Sequence, residues 1–198
     1  MFLRNYPLAN LTSLGVGGPA DFFIQPSTLA EVVQAQRFAL DGGYPLTIIG
    51  YGTNLLIKDG GIRGVVMQIA APFAKASVEG RILTATTGCL LSSLSKLAFH
   101  HGLSGLEFSV GIPGGLGGAT FMNAGAYGGE IGPLVRSVQL VQNGVVKTWN
   151  RQELNFSYRS SRFQQEGAVP IVTQVELELA PMDPAAILQK MNDLQNQR

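Results

Sequence analysis

Three stretches of this chain combine residue types suited to chemistry. The first is Gly50-Tyr51-Gly52-Thr53-Asn54, which follows a strand-like segment. Its glycines permit a sharp turn with exposed N–H groups, and Thr53 and Asn54 add side-chain donors. Such a nest suits a pyrophosphate; the same residues also read as an ordinary tight turn. A Rossmann loop would run directly into a helix. Here Leu55-Leu56-Ile57 and Lys58-Asp59-Gly60-Gly61 continue in a strand-and-turn pattern, which excludes that reading.

The second stretch runs from Gly111 to Glu130 and holds eight of the chain's 25 glycines, yet no lysine or arginine. A flexible linker would carry Ser, Lys and Glu. This run is instead punctuated by Ile112, Leu116, Phe121, Met122 and Tyr127, so it reads as folded backbone that approaches a large, flat or phosphorylated ligand. Pro113-Gly114-Gly115 and Gly117-Gly118 give two places where backbone can touch a ligand without Cβ interference. Asn123, Ala124, Gly125, Ala126, Tyr127 and Gly128 alternate small, polar and aromatic character, which suits a planar ring. A glycine-rich bulge region is the alternative.

The third is Tyr158-Arg159-Ser160-Ser161-Arg162-Phe163. Two arginines three apart, among hydroxyls and aromatics, can clamp a carboxylate or phosphate. A permanently charged guanidinium also stabilises developing negative charge. Surface ion pairing is the competing account. His100-His101 fits a helix end, Cys89 an inert buried thiol, and Glu107 a structural role beside the glycine run.

Elements that would hold these stretches can be read nearby. Asp21 to Ile24 suggests a strand. Thr28 and Glu31 form a capping box for a helix with Leu29, Val32, Val33, Ala39 and Leu40 on its apolar face, stopped at Gly42-Gly43. Pro45 to Ile49 and Val65 to Ile69 read as buried-type strands, and Pro72 to Gly80 marks a change of character. Arg81 to Thr86 reads as strand, and Leu90 to His101 as helix. Ser137 to Gln142 and Val145 to Trp149 flank Asn143-Gly144, the signature of a type I′ hairpin. Ile171 to Leu179 is a long strand. Asp183-Pro184 starts a last helix whose stripe, Ile187, Met191 and Leu194, needs a partner.

The 198 residues are 45% apolar and 14% charged, enough for a sizeable core. A net charge of +1 makes no electrostatic case for nucleic acid or an anionic membrane. No apolar stretch is long enough to span a bilayer. One cysteine excludes an internal disulfide, no Cys/His spacing suggests a metal, and no motif calls for an obligate protein partner.

In this order, the motifs resemble the UDP-N-acetylenolpyruvoylglucosamine reductase family, also called UDP-N-acetylmuramate dehydrogenase. The residues that carry the resemblance are Asn10 to Gly18, Gly50-x-Gly52-Thr53-Asn54, Gly102 to Phe108, Gly111-Ile-Pro-Gly114, Gly117-Gly-Ala119, Met122 to Gly128, and Tyr158-Arg159-x-Ser161-x-Phe163. The resemblance spans nearly the whole chain. It implies an α+β FAD-binding fold of the vanillyl-alcohol-oxidase (PCMH) type. Its two α+β subdomains would occupy residues 1–71 and 72–181 with FAD between them, and 182–198 would lead towards a third, substrate-binding domain. It implies that Gly50 to Asn54 hold the pyrophosphate, that residues within 111–128 line the rest of the cofactor, and that Tyr158 and Arg159 meet the substrate, with Arg159 catalytic. It further implies a cytoplasmic enzyme that passes hydride from NADPH through FAD to an enolpyruvyl UDP-sugar, for peptidoglycan precursors. Because relatives continue past the equivalent of Arg198, the expectation is weak turnover by this stretch alone. Tyr51 departs from the small residue expected in its slot. A flavin-binding module without completed chemistry, or another FAD-dependent oxidoreductase, are the alternatives.

Overall fold

The structure, a computed structural model, describes residues 2–165 and 170–197. Its first sheet contains β1 (Leu3–Pro7), β2 (Pro19–Ile24), β3 (Leu46–Ile49) and β4 (Ile62–Gln68), in the order β1-β2-β4-β3. β2 and β3 run parallel to β4, while β1 is antiparallel to β2. β4 lies at the centre and is buried from Gly64 to Gln68, as a two-sided parallel strand should be. β3 departs from the expected buried strand. It is an edge, and Leu46, Thr47 and Ile48 are only half-buried.

Helix α1 (Leu29–Asp41) makes the parallel crossover between β2 and β3 possible. Both bonds of the Thr28–Glu31 capping box are present, and Gly43 takes a left-handed φ of +64° where the helix ends. Its buried stripe is Val32, Ala35, Gln36 and Ala39. Leu40 lies on the flank of that stripe and is 50% exposed, contrary to the apolar face read from the sequence.

The second sheet is antiparallel throughout. It comprises β5 (Ala76–Glu79), β6 (Ile82–Thr86), β10 (Val135–Gln142), β11 (Val145–Asn150) and β12 (Ile171–Glu178), in the order β11-β10-β12-β6-β5. Short pairs flank it: β7 (Leu103–Ser104) with β13 (Ala180–Pro181), and β8 (Gly125–Ala126) with β9 (Gly129–Glu130). The β10–β11 turn has φ of +53° at Asn143 and +70° at Gly144, with Gln142 opposite Val145, as the Asn-Gly pair requires.

Helix α2 (Leu91–His100) buries Leu91, Leu94 and Ala98. A six-residue helix, α3 (Leu116–Phe121), lies inside the glycine run, where two glycines would discourage one. Burial of Leu116, Ala119 and Thr120, at helical spacing, overrides that propensity.

The two sheets share core and polar contacts. Val141 and Ile171 of the second pack with Ile24 and Met67 of the first and with Val32 of α1. On α1, the Gln36 side chain accepts from Gly144 N at 2.7 Å and donates to Val141 O at 3.3 Å, while Arg37 donates to Gly144 O at 3.1 Å. The hairpin tip of one sheet is thereby clamped to the helix of the other.

The last helix, α4 (Pro184–Asn196), starts at Asp183, whose carboxylate accepts from Ala186 N. Its stripe folds back onto the body. Ile187 and Met191 are buried and Leu194 packs on the main core. Lys190 of α4 reaches the buried Glu107 carboxylate at 3.5 Å, which also accepts from Ser104 Oγ at 2.6 Å and Gly105 N at 3.0 Å. The stripe that needs a partner therefore finds one in the body of this chain.

Candidate functional site

A groove runs between the two sheets as two adjoining pockets of about 360 and 370 Å3 that share Ile48, Ile49, Gly50, Gly115 and Gly118 in their walls. β3 forms one side, which explains its half-exposed residues. The first pocket is chiefly apolar and includes Leu46, Ile69, Phe121, Ile171 and Val172, with Thr87 and Gly117. In the second, Gly50 to Leu55 face Ile112 to Gly115, with Leu91, Ala119, Met122 and Ala124 behind them, and Arg159 is part of the wall.

The loop at residues 50–54 crosses to the other sheet's loops. Tyr51 Oη donates to Gly88 O at 2.7 Å, its ring lies against Gly115, and Thr53 Oγ1 donates to Pro113 O at 3.1 Å. Tyr51, the departure noted in the sequence, is thus a bridge rather than an obstruction. Burial, and then the neighbouring Cys89, raise its phenol pKa above the ordinary value, so it remains a donor. Cys89 is buried, its thiol donates to Lys75 O at 3.3 Å, and burial raises its pKa, which leaves it a poor nucleophile. After this loop the chain enters a turn rather than a helix, and Leu55–Ile57 form no strand.

The glycines divide by what their backbones meet. A Cβ at Gly52 would overlap the Leu11 carbonyl, and Gly52 also has φ of +66°. Gly52 O accepts from Ser13 N at 3.1 Å. Gly52 therefore serves contact within the protein. Gly50 and Gly118 have open space where a Cβ would stand, and both line the groove. Gly117 approaches Thr87, and Gly125 packs on Gly129 and Glu130 within the β8–β9 hairpin.

Of the sequence candidates, the structure brings Gly50, Tyr51, Gly52, Thr53, Asn54, Ile112, Pro113, Gly114, Gly118, Ala124 and Arg159 to the second pocket, and Gly117 to the first. Gly111, Asn123, Gly125, Tyr127, Gly128 and Tyr158 do not line either pocket. Tyr158 is 88% exposed at the tip of a turn. Asn123 is buried and its amide is committed to Glu130, Ser157 and Gly132. Gly125 instead supplies the carbonyl that receives Arg159 Nη2 at 3.2 Å. Sequence reading missed the apolar wall: Ile48, Leu91, Ala119, Phe121 and Ile171 are ordinary core-type residues with no motif to reveal them.

The two arginines separate. Arg162 sits over the Trp149 ring at 4.3 Å, so a paired clamp is not formed. Arg159 alone reaches the groove. It has φ of +53° in a tight turn in which Ser157 and Ser160 exchange backbone bonds of 3.1 Å. Left-handed backbone at a non-glycine residue is uncommon and concentrates at functional sites.

The groove fits an extended, partly apolar, pyrophosphate-bearing ligand. Among the described residues, the N–H groups of Tyr51, Gly52, Thr53, Asn54, Gly114, Gly115 and Gly118 have no protein acceptor. Such donors suit phosphate oxygens, and the aliphatic walls suit ring faces.

A family model described as an FAD binding domain matches residues 20–146. In Exiguobacterium sibiricum, a UDP-N-acetylenolpyruvoylglucosamine reductase is 42% identical over 197 residues, covering 99% of this chain and 64% of that protein. The reductase of the same name in Levilactobacillus brevis gives the same three figures, 42%, 99% and 64%. The crystal structure of the Thermus caldophilus UDP-N-acetylenolpyruvylglucosamine reductase superposes with a TM-score of 0.85 at 33% identity, covering all of this chain and 69% of that one. The chain belongs to the UDP-N-acetylenolpyruvoylglucosamine reductase family. It spans 64% of the length of the two curated reductases above. Beyond the reductase family, a Physcomitrella patens BBE-like protein shares the fold, with a TM-score of 0.61 over 82% of this chain at 24% identity. The fold is thus the α+β FAD-binding type expected of the reductases. No helix among the described residues is long and apolar enough to cross a membrane.

Proposed function

We propose that this chain supplies the FAD site and the active-site arginine of an NADPH-using, cytoplasmic reductase. The reductase would convert the enolpyruvyl ether of UDP-N-acetylglucosamine to UDP-N-acetylmuramate for peptidoglycan synthesis. The observation that carries this is the juxtaposition of Tyr51–Asn54, with their uncommitted N–H groups, and Arg159 in the wall of one groove. In a member of this family, that pairing supports a cofactor phosphate site beside an anion-binding residue.

Residues 1–71 and 72–181 would act as two cofactor-binding units, with 182–198 docked on the second. Tyr51–Asn54 and Gly114–Gly115 would hold the pyrophosphate through backbone donors. Ile48, Ile49, Leu91, Ile112 and Ala119 would exclude water from the ring faces. Bound FAD supplies hydride relay between the nicotinamide and the enolpyruvyl carbon. Arg159 would bind the substrate carboxylate and stabilise the negative charge that grows there as hydride adds.

The test is FAD titration, followed by anaerobic NADPH and then the enolpyruvyl sugar nucleotide. One FAD per chain, bleached by NADPH, is the expected result, and Arg159→Ala leaves FAD uptake intact while slowing reoxidation by the sugar nucleotide. A folded chain that takes up no FAD sinks the proposal.

A further inference from the structure

Asn123 has a place in the site that its absence from the groove wall conceals. It is 2% exposed, with φ of +44°. Its Nδ2 donates to Ser157 O at 2.9 Å and to Glu130 Oε2 at 3.0 Å, while its Oδ1 accepts from Gly132 N at 2.8 Å. Two acceptors on one side and an N–H on the other fix the orientation of the amide. Both of its protons are used.

Those partners belong to the two segments that define Arg159. Ser157 opens the tight turn in which Arg159 takes its left-handed φ. Glu130 ends the β8–β9 hairpin and Gly132 opens the short 3-10 turn just after it, while Gly125 at the hairpin's start accepts from the Arg159 guanidinium. The turn that carries the arginine and the hairpin whose carbonyl receives it are therefore joined through one buried side chain, while Gln164 Nε2 adds a longer bond of 3.4 Å to Arg159 O from outside. A second tie, from Ser161 Oγ to Phe121 O at 2.6 Å, holds only the far end of the turn.

We propose that Asn123 is the positioning residue for Arg159, locking the Ser157–Ser160 turn to the β8–β9 hairpin through one buried amide. The geometric part stands on these bonds; its consequence for ligand binding rests on the proposed role of Arg159. Asn123→Asp keeps the shape but replaces both donors with a carboxylate facing Glu130 and a carbonyl. Adding Glu130→Gln relieves the carboxylate pair and lets the new amide donate to position 123, yet leaves Ser157 O without a donor. The double variant should mend the hairpin and not the turn.

Amide hydrogen exchange on the folded chain reads the two segments separately. The Ile131 N–H, bonded to Ala124 O, reports the hairpin, and the Ser160 N–H, bonded to Ser157 O, reports the turn. Asn123→Asp is expected to speed exchange about tenfold or more at both, and the double variant to restore Ile131 alone. If Asn123→Asp does not fold, the double variant carries the same turn readout. Unchanged exchange at Ser160, or recovery of both amides together, overturns the proposal.

Ligand preference gives the functional arm. In the FAD-loaded chain, affinity for the enolpyruvyl sugar nucleotide is compared with that for UDP-N-acetylglucosamine, which lacks the carboxylate. Asn123→Asp and the double variant should each lower this preference at least tenfold, as Arg159→Ala does, with FAD affinity retained. Preference lost in Arg159→Ala but kept in both Asn123 variants also overturns the proposal. No preference in the unaltered chain, with the expected exchange pattern, defeats the proposed carboxylate contact of Arg159 in this chain and leaves the positioning role supported.

Discussion

The loop at Gly50–Asn54 and the run at Gly111–Glu130 face one groove and are both rich in glycine, but they are held differently. The short loop is pinned from outside, by Leu11–Ser13 on its own sheet and by Gly88 and Pro113 on the other. The long run supports itself through α3, the β8–β9 hairpin and the Asn123 amide. Glycine therefore has two uses here. At Gly52 it admits another part of the protein, whereas at Gly118 it leaves space for something that is not protein.

Substitution at these two positions should separate the uses, and the largest effect belongs to Gly52. Gly52→Ala drives a Cβ into the Leu11 carbonyl at a φ of +66°. A buried steric clash with left-handed backbone places the cost at about 3–5 kcal/mol, visible in urea denaturation. At Gly118 an added Cβ meets no protein atom within 4 Å, and the position lies on exposed helix backbone, so Gly118→Val projects its methyls into the groove. Its stability should change by less than about 1 kcal/mol. Its FAD affinity should fall about a hundredfold, corresponding to ~2.7 kcal/mol. Equal loss of stability in the two variants would erase the distinction.

The same contrast explains what could be read from the sequence. Local signals were decisive where the chemistry is local: the Thr28–Glu31 box, the Asn143-Gly144 turn and the Asp183 cap all form as expected. β1 and β5 were missed because their residues are largely exposed and lack a clean apolar alternation. Glycine spacing located both loops but did not reveal which glycines face the groove, since that depends on partners such as Leu11 and Thr87 far away in sequence. By residue type and spacing Arg159 and Arg162 are equivalent, and only the resemblance singles out Arg159; the Trp149 ring, distant in sequence, is what takes Arg162.

Glu107 extends the comparison to the support behind the long run. Burial alone would raise its pKa, but bonds from Ser104 and Gly105 and the Lys190 charge outweigh that and hold it below the usual glutamate value. A depressed folded-state pKa means the stabilisation is fully present above the unfolded value of about 4.3 and is lost as pH falls through the folded value. Resistance of the intact chain to denaturation should therefore fall below that range, more steeply than in Glu107→Gln. At pH 7, Glu107→Gln should cost about 1–3 kcal/mol, because Lys190 loses its partner and one buried acceptor is lost. An identical acid limb in the two proteins would remove Glu107 from this role.

Tyr51→Phe is the finest probe of how the short loop is held. It deletes the hydroxyl that donates to Gly88 O and keeps the ring against Gly115. Loss of one partly buried, neutral hydrogen bond should lower stability by about 1 kcal/mol. The loop's backbone retains the Ser13–Gly52 and Thr53–Pro113 contacts, so its donors remain clustered. FAD affinity should fall less than tenfold, well short of the Gly118→Val effect. A loss as large as that of Gly118→Val would mean that the cross-sheet hydroxyl, rather than the space beside the glycine, governs cofactor capture.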